Sequence, residues 1–465
     1  MSRCTWLLPV LVQSAALALS PQERAEGFAS LFGARDLTGW IVAGAPEGWS
    51  AANGTIHSDG GKGGALLQTE QEFGNFILRL EWYLSRTGNS GVFLRGANGG
   101  GGYEIQLLAP WTPHRDDLHC TGSLYGYAPV DPRPDETTQR WRDMEIVCMG
   151  ERVTISVDGR ICCQADLNLI PELKSAPTRG RIGLQDSHTG PGEFVEFRNI
   201  RVKDLDRDPL YVMGGLWSSD PAKRAEAMPR VVALGAATVP LLLDTIGQES
   251  PQSTPVARRT LEQLVAHASR PGAGQERDAV AAALSDGLAK GEDGSRAAAA
   301  RLLAWLADAP GAIHALRQAL HDPATRSAAL AALTIAPVPA AGDALVAELS
   351  DSPSVDLIDA VGERREAGAV GPLLPVAAAG PSERRAAAAR VLGYLGDARA
   401  ARVLSEGARS PDGAVRSASV RALLDLAAAQ RERDPMLARE LAARALQYAG
   451  PAAAQVQAMA ERILR

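Results

Sequence analysis

The segment Arg296-Ala297-Ala298-Ala299-Ala300-Arg301-Leu302-Leu303-Ala304-Trp305-Leu306-Ala307-Asp308-Ala309 recurs, with conservative changes, as Arg385-Ala386-Ala387-Ala388-Ala389-Arg390-Val391-Leu392-Gly393-Tyr394-Leu395-Gly396-Asp397-Ala398. The offset is 89 residues, and turn residues divide it into thirds: Gly294, Pro323, Pro353, Pro381 and Pro411 stand 29, 30, 28 and 30 apart. Pro221 and Pro251 are again 30 apart, ahead of an insertion around Pro271-Gly272-Ala273-Gly274. Self-similarity at such a period means one small unit repeated and stacked, because a single unit cannot bury its own apolar face. The apolar spacing inside each unit is helical. This stretch therefore predicts a stack of about eight helix pairs. Trp305 and Tyr394 fall at equivalent repeat positions and are expected in the core. Packing accounts for nearly every residue, so no catalysis is assigned here.

The helical pattern does not reach the N-terminal part. A change of period divides the chain into residues 25–205 and 210–465, joined by a charged segment (Asp204, Asp206, Arg207, Asp208) that ends at Pro209. Across 25–205 the apolar residues alternate, as in Phe76-Ile77-Leu78-Arg79-Leu80-Glu81-Trp82 and Arg152-Val153-Thr154-Ile155-Ser156-Val157. Asp158-Gly159 then forms a tight hairpin turn into Arg160-Ile161-Cys162-Cys163. Gly183-Leu184-Gln185 and Val195–Val202 add late strands. Many short strands with Gly-rich turns predict an all-β sandwich or jelly roll. Five of the eight tryptophans lie between Trp40 and Trp141, where they fill such a core or stack on sugar rings.

Residues 1–20 carry the pattern of a secretory signal: Arg3, an apolar run from Trp6 to Val12, and the small-residue site Ala16-Leu17-Ala18. The rival, a buried N-terminal helix, is interrupted by Pro21-Gln22-Glu23-Arg24. No stretch is long and apolar enough for a lasting membrane span, and Cys4 precedes the apolar run, which does not suit a lipid anchor. An exported protein, periplasmic or extracellular, is expected. The formal net charge of −6 gives no basic patch for nucleic acid. After removal of the signal four cysteines remain, Cys120, Cys148, Cys162 and Cys163, and an even number permits disulfides. Cys148 and one of Cys162 or Cys163 fall on strands that could be neighbours. No Cys-x-x-Cys spacing supports zinc, and no cofactor is expected.

The chemistry-bearing stretch is Gly88-Asn89-Ser90-Gly91-Val92-Phe93-Leu94-Arg95 with Tyr103-Glu104-Ile105-Gln106. Alternation places Asn89, Gly91, Phe93 and Arg95 on one face of the first strand, and Glu104 and Gln106 on one face of the second. If the two faces coincide, one sheet presents two amides, a guanidinium and a carboxylate side by side, as hydroxyl-rich ligands require. The structural alternative is a buried Glu104–Arg95 ion pair that holds the strands in register. The insert His114-Arg115-Asp116-Asp117-Leu118-His119-Cys120 gathers metal-binding residue types, but its spacing fits a solvated loop at the mouth of the site better than a metal centre. No phosphate loop or nucleophile elbow is present.

Gly27-Phe28-Ala29-Ser30-Leu31-Phe32 followed by Asp36-Leu37-Thr38-Gly39-Trp40 resembles the opening of the 3-keto-disaccharide hydrolase domain family. The resemblance continues in order through Leu80-Glu81-Trp82, Asn89–Arg95, Tyr103–Gln106, Thr121-Gly122-Ser123-Leu124-Tyr125-Gly126, Trp141, Gly183-Leu184-Gln185 with His188, and Phe197-Arg198-Asn199-Ile200. It implies a concanavalin-like jelly roll acting on glycosides oxidised at C3. The chain departs from the family at Leu108-Ala109-Pro110, where an Asp is usual, at Arg142-Asp143, and in the insertion Gly190-Pro191-Gly192. A C3 ketone acidifies the proton on C2; a base removes it, and the enolate expels the C1 group. Glu104 is the expected base and His188 the alternative. Asn89, Arg95 and Gln106 are expected to hold hydroxyls and the oxyanion, Tyr125 to orient a hydroxyl, and Trp141 to stack on a ring. The repeat region resembles short bacterial HEAT-like repeats, which implies a solenoid that binds a protein partner. The competing expectation is a non-catalytic carbohydrate-binding module docked through that solenoid.

Overall fold

The computed structural model describes residues 19–59, 66–97, 100, 102–112, 115–187, 190, 192–450 and 453–464. The expected signal segment falls on residues 1–18 and so lies outside the described residues. Pro21–Ala25, expected only as a break, forms a short helix because Ser20 caps it and Glu23 bonds back to the Ser20 backbone. The chain divides into two units, Met1–Val212 and Met213–Arg465.

The first unit is an antiparallel β-sandwich. In chain order its strands begin with β1 (Ala29–Ser30), β2 (Trp40–Ala43), β3 (Trp49–Ala52), β4 (Thr55–Asp59), β5 (Leu66–Phe73) and β6 (Phe76–Leu84). Next come β7 (Asn89–Gly96), β8 (Tyr103–Leu108), β9 (Arg142–Met149) and β10 (Arg152–Val157). Finally come β11 (Arg160–Asp166), β12 (Gly180–Gln185) and β13 (Phe194–Asp204). One sheet has the order β11-β10-β9-β6-β13-β4-β3, with β1 also on β13; the other is five-stranded, β2-β5-β12-β7-β8.

Period-two burial explains why the sheets pack. Along β6 each apolar residue at Phe76, Leu78, Leu80, Trp82 and Leu84 is buried, while those between are half-exposed. These residues meet Val92, Leu94, Tyr103, Ile105, Leu107 and Leu184 of the other sheet in one core. Asp158 and Gly159 both take positive φ, 48° and 75°, which matches the twist of a two-residue hairpin and sets the β10–β11 register. The expectation that Cys148 lies beside Cys162 or Cys163 fails, because β10 runs between β9 and β11: Val153 faces Cys148 and Ile155 faces Cys163. All four cysteines are free and buried. Burial pushes the Cys148 and Cys162 thiols up to about 12, so they pack as small apolar groups.

The second unit is all-helical. Helix Ser382–Leu395 packs on Gly413–Gln430 and on Val370–Ala378, and Asp293–Leu303 packs on Gly274–Lys290 and Arg326–Ile335. Contacts run between helices near in sequence, as a stacked array requires. A recurring arginine closes successive units. Arg296 donates to the Leu288 carbonyl at 2.9 Å and to Asp322 of the next unit. Arg326 repeats this with the Leu320 carbonyl at 3.0 Å and Asp356 at 3.1 Å. Asp220 and Asp412 cap the helices that start after them by accepting from Ala222 N and Ala414 N.

Trp305 and Tyr394, expected in the core, are 68% and 61% exposed, as is Ile335 at 62%, thirty residues after Trp305. All three occupy the last turn of a helix or the 3₁₀ turn after it, where neighbouring Leu303, Leu306 and Leu392 take the inward positions. Leu392 has no exposed surface. Leu392→Asp therefore buries an unpaired carboxylate and is expected to cost at least about 3 kcal/mol. Arg409→Ala, on the surface, should stay within about 0.5 kcal/mol. Thermal melts of the two variants check this, and equal shifts would mean that the inward positions have been misassigned.

Candidate active site on the outer face of the five-stranded sheet

Strand register places the site. Within the β7–β8 pair Gly91 faces Gln106 and Phe93 faces Glu104. Towards β12, Phe93 faces Gly183 and Val92 faces Leu184. Beyond β8 the segment 122–125 continues the sheet: Tyr125 N donates to the Glu104 carbonyl at 2.9 Å, and Gln106 N donates to the Ser123 carbonyl at 3.1 Å. Two rows result. Gly183, Phe93, Glu104 and Tyr125 form one; Gln185, Gly91, Gln106 and Ser123 form the other. Val92, Leu94, Ile105, Leu107 and Leu184 point the opposite way into the core. Both rows thus lie on the outer face.

Gly91 is a glycine because of what lies over it. A Cβ there would overlap the Glu104 carboxylate oxygen and come within 2.8 Å of its Cδ and Cγ. A Cβ at Gly183 would press less severely on Phe93 and Leu66, at 3.2 and 3.3 Å. The Glu104 carboxyl makes no hydrogen bond or ion pair among the described residues. Burial alone pushes its pKa up to about 7. A carboxyl poised near neutrality and free of partners can take a proton from a ligand. Beside it Gln106 is 4% exposed and donates through Nε2 to Asn89 Oδ1 at 3.3 Å. Tyr125 is 41% exposed at the edge of the rows, with its ring edge-on to His119 at 4.9 Å.

Asn89, Glu104, Gln106 and Tyr125 are therefore brought together. Arg95 is not. β7 leaves regular alternation at Arg95, where φ is 53° and the register with β12 slips between Arg181 and Gly183. The guanidinium turns inward and is spent on backbone: Nε and Nη2 donate to the Gly74 carbonyl at 3.0 and 2.8 Å, and Nη1 to the Gly150 carbonyl at 2.7 Å. Arg95 is 1% exposed and, among the described residues, pairs with no carboxylate, so its guanidinium does not join the two outer rows and forms no ion pair with Glu104.

Trp141 also lies elsewhere. It packs against Tyr83 at 5.7 Å and under the Arg198 guanidinium at 4.0 Å, on the outer face of the other sheet. Trp82 takes the inward position at that edge, so its neighbour Tyr83, and Trp141 with it, face outward. His188 lies outside the described residues, as does His114 of the insert. In the rest of the insert His119 Nδ1 bonds Asp116 Oδ1 at 2.7 Å, and Arg133 Nε donates to Asp117 at 3.0 Å. Among the described residues no three His, Cys, Asp or Glu side chains converge as metal ligands.

Gln185, Gln68 and Ser123 were not expected in the site. Gln68 faces Ile41 on the outer side of β5 and donates from Nε2 to the Ala97 carbonyl at 2.9 Å. Gly183-Leu184-Gln185 carried the signal: the alternation that buries Leu184 turns Gln185 outward. Ser123 gave no such signal, since only the pairing of 122–125 with β8 sets its face.

Gly91→Ala should push the Glu104 side chain off its seat. The expected result is a loss of about 1–3 kcal/mol from overpacking, together with a fall in any turnover that uses Glu104. Melting and activity of the same sample check it; an unshifted melt would show that Glu104 does not rest on Gly91.

Residues 27–203 match the model of the 3-keto-alpha-glucoside-1,2-lyase-like domain. A curated relative, the 3-keto-disaccharide hydrolase of Bacteroides thetaiotaomicron, is 25% identical over 235 residues, which cover 39% of this chain and 80% of the relative. Among solved structures, a candidate glycosyl hydrolase of Parabacteroides distasonis is 23% identical, with 40% of this chain and 98% of that one covered and a TM-score of 0.35. The carbohydrate-binding module CBM66 of Bacillus subtilis is 17% identical, with 35% and 95% covered and a TM-score of 0.27.

Proposed function

We propose that the N-terminal β-sandwich is carbohydrate-active and cleaves glycosides oxidised at C3, with Glu104 as the base. The observation that carries this reading is the Glu104 carboxyl, unpaired, seated over Gly91 and poised near pH 7 beside Gln106 and Tyr125. The matched domain model and the name of the Bacteroides relative supply the substrate class. Glu104 takes the proton from C2 and the electron pair of that bond forms the C2–C3 enolate. The enolate collapses, the C1–O bond breaks, and a C1–C2 double bond conjugated to the ketone remains. The departing oxygen takes a proton from water or from the Tyr125 hydroxyl. Addition of water across the double bond completes a net hydrolysis. Donors for the enolate oxygen are the amides of Asn89 and Gln106 and the Tyr125 hydroxyl.

A second reading, a binding module without chemistry, is favoured by one observation: with Arg95 turned inward, the two rows hold no cationic donor for the oxyanion among the described residues. The helical unit is read as a HEAT-like solenoid that docks a protein partner, and the chain as exported. No helix among the described residues is long and apolar enough to cross a membrane.

Incubation of the full chain with 3-keto-trehalose and 3-keto-glucosides tests the reading. Released glucose is the expected result. Binding without release at any pH would leave the second reading in its place.

A further inference from the structure

The row through Gly91 has an unbalanced hydrogen-bonding character. Gln185 stands on one side of Gly91 and Gln106 on the other, and Gly91 contributes no side chain between them. The Nε2 of Gln106 is engaged by Asn89, but its Oε1 is buried without a partner among the described residues. The Oε1 of Gln185 is in the same condition, and so is the Oγ of Ser123 at the end of the row. A buried acceptor left unmade is costly, and native structures seldom leave two in one row without a ligand or water to satisfy them. The Glu104 carboxylate above Gly91 is a further acceptor with no partner. Neighbouring strands are about 4.8 Å apart, so the backbones of the two glutamines stand about twice that apart.

We infer that Gln185 and Gln106 form an acceptor pair, one on each side of the Glu104 carboxylate that rests over Gly91, and that the pair takes two hydroxyl donors of one sugar ring and thereby selects neutral polyhydroxy ligands. The inference rests on the proposed action on sugars and goes beyond it by assigning Gln185, which no sequence expectation placed in the site. The ring then lies above the Glu104 carboxylate, which Gly91 seats, with a ring C–H directed at that carboxylate. The rows offer acceptors and neutral amides, so a phosphate or carboxylate in place of these hydroxyls would meet lone pairs without a counter-charge. Gln185 is a positioning residue: it holds the ring and moves no proton.

The test pairs Gln185→Leu, which keeps the volume and removes the acceptor, with a set of singly deoxygenated trehaloses. Binding is measured by calorimetry on the full chain, and turnover is measured on 3-keto-trehalose. In the wild type, one deoxygenation is expected to weaken binding about tenfold; in Gln185→Leu the same deoxygenation should have no further effect, while the others weaken both proteins alike. Gln185→Glu, which restores an acceptor, should recover part of the affinity. If every deoxygenation weakens Gln185→Leu by the same factor as the wild type, Gln185 takes no hydroxyl and the inference falls, even if 3-keto-trehalose is cleaved. If the wild type neither binds trehalose nor cleaves 3-keto-trehalose, the inference and the proposed function fall together. Cleavage at an unchanged KM in Gln185→Leu removes the inference alone.

Discussion

Glu104→Gln is expected to lower turnover of 3-keto-trehalose by about 10²- to 10⁴-fold, the usual contribution of a general base, while making the protein more stable at pH 8. The two effects have one cause. The carboxyl is held near 7 by burial, against an ordinary 4.5. Between those values the unfolded chain has released the proton and the folded chain keeps it. Folded protein then binds more protons than unfolded protein, so stability falls as pH rises through this window and levels off above about 7. A shift of that size corresponds to roughly 3 kcal/mol. Glutamine has no charge to bury, so the variant should melt above the wild type at pH 8 and level with it near pH 4. Removal of the carboxyl should also abolish the rise in kcat/KM expected of the wild type through about pH 7. Were Glu104 a structural partner of a buried cation, the same change would lower the melting temperature at pH 8. A stable variant with undiminished turnover would take Glu104 out of the mechanism and leave His188 as the base to test.

How far the site was legible in the sequence depends on how strictly each strand alternates. β8 alternates without interruption, so Glu104 and Gln106 could be placed on one face from Tyr103-Glu104-Ile105-Gln106 alone. β7 alternates only as far as Leu94. The left-handed turn of the backbone at Arg95 is an arginine's, and no glycine marks it, so counting by twos put the guanidinium on the wrong side. Trp141 misled in another way. Its position depends on which sheet β9 joins, a long-range pairing with β6 that local pattern does not encode. The sandwich survives such errors because its core needs only apolar alternation in most strands, which β6 and β10 show plainly. In the helical unit the repeat set the helices but not their rims. Trp305 and Tyr394 look like core residues by composition, yet their place at a helix end leaves them open.

Arg95→Leu is expected to lower the melting temperature of the sandwich and to leave sugar binding unchanged. The guanidinium is 1% exposed and ties together two turns that are far apart in sequence, through the carbonyls of Gly74 and Gly150. Gly74 lies between β5 and β6, and Gly150 between β9 and β10. Asn75 joins the same knot by accepting from Gly150 N at 2.6 Å. Leucine supplies no donor, so both carbonyls lose their partners beneath a shortened side chain. Each buried acceptor left unmade costs about 1–3 kcal/mol, and the missing volume adds to that. A loss of about 3–5 kcal/mol follows, or roughly 10 °C in melting temperature for a unit of this size. Arg95→Lys keeps the charge but cannot fork to both turns, and should fall between the two. The measurement that decides is melting set against sugar affinity on the same samples, at a temperature where all three proteins are folded. Under the inward placement the three melt in the order Arg, Lys, Leu and bind trehalose alike. If Arg95 instead held a hydroxyl, affinity would drop in both variants while the melts stayed together, and the guanidinium would have to be returned to the outer face.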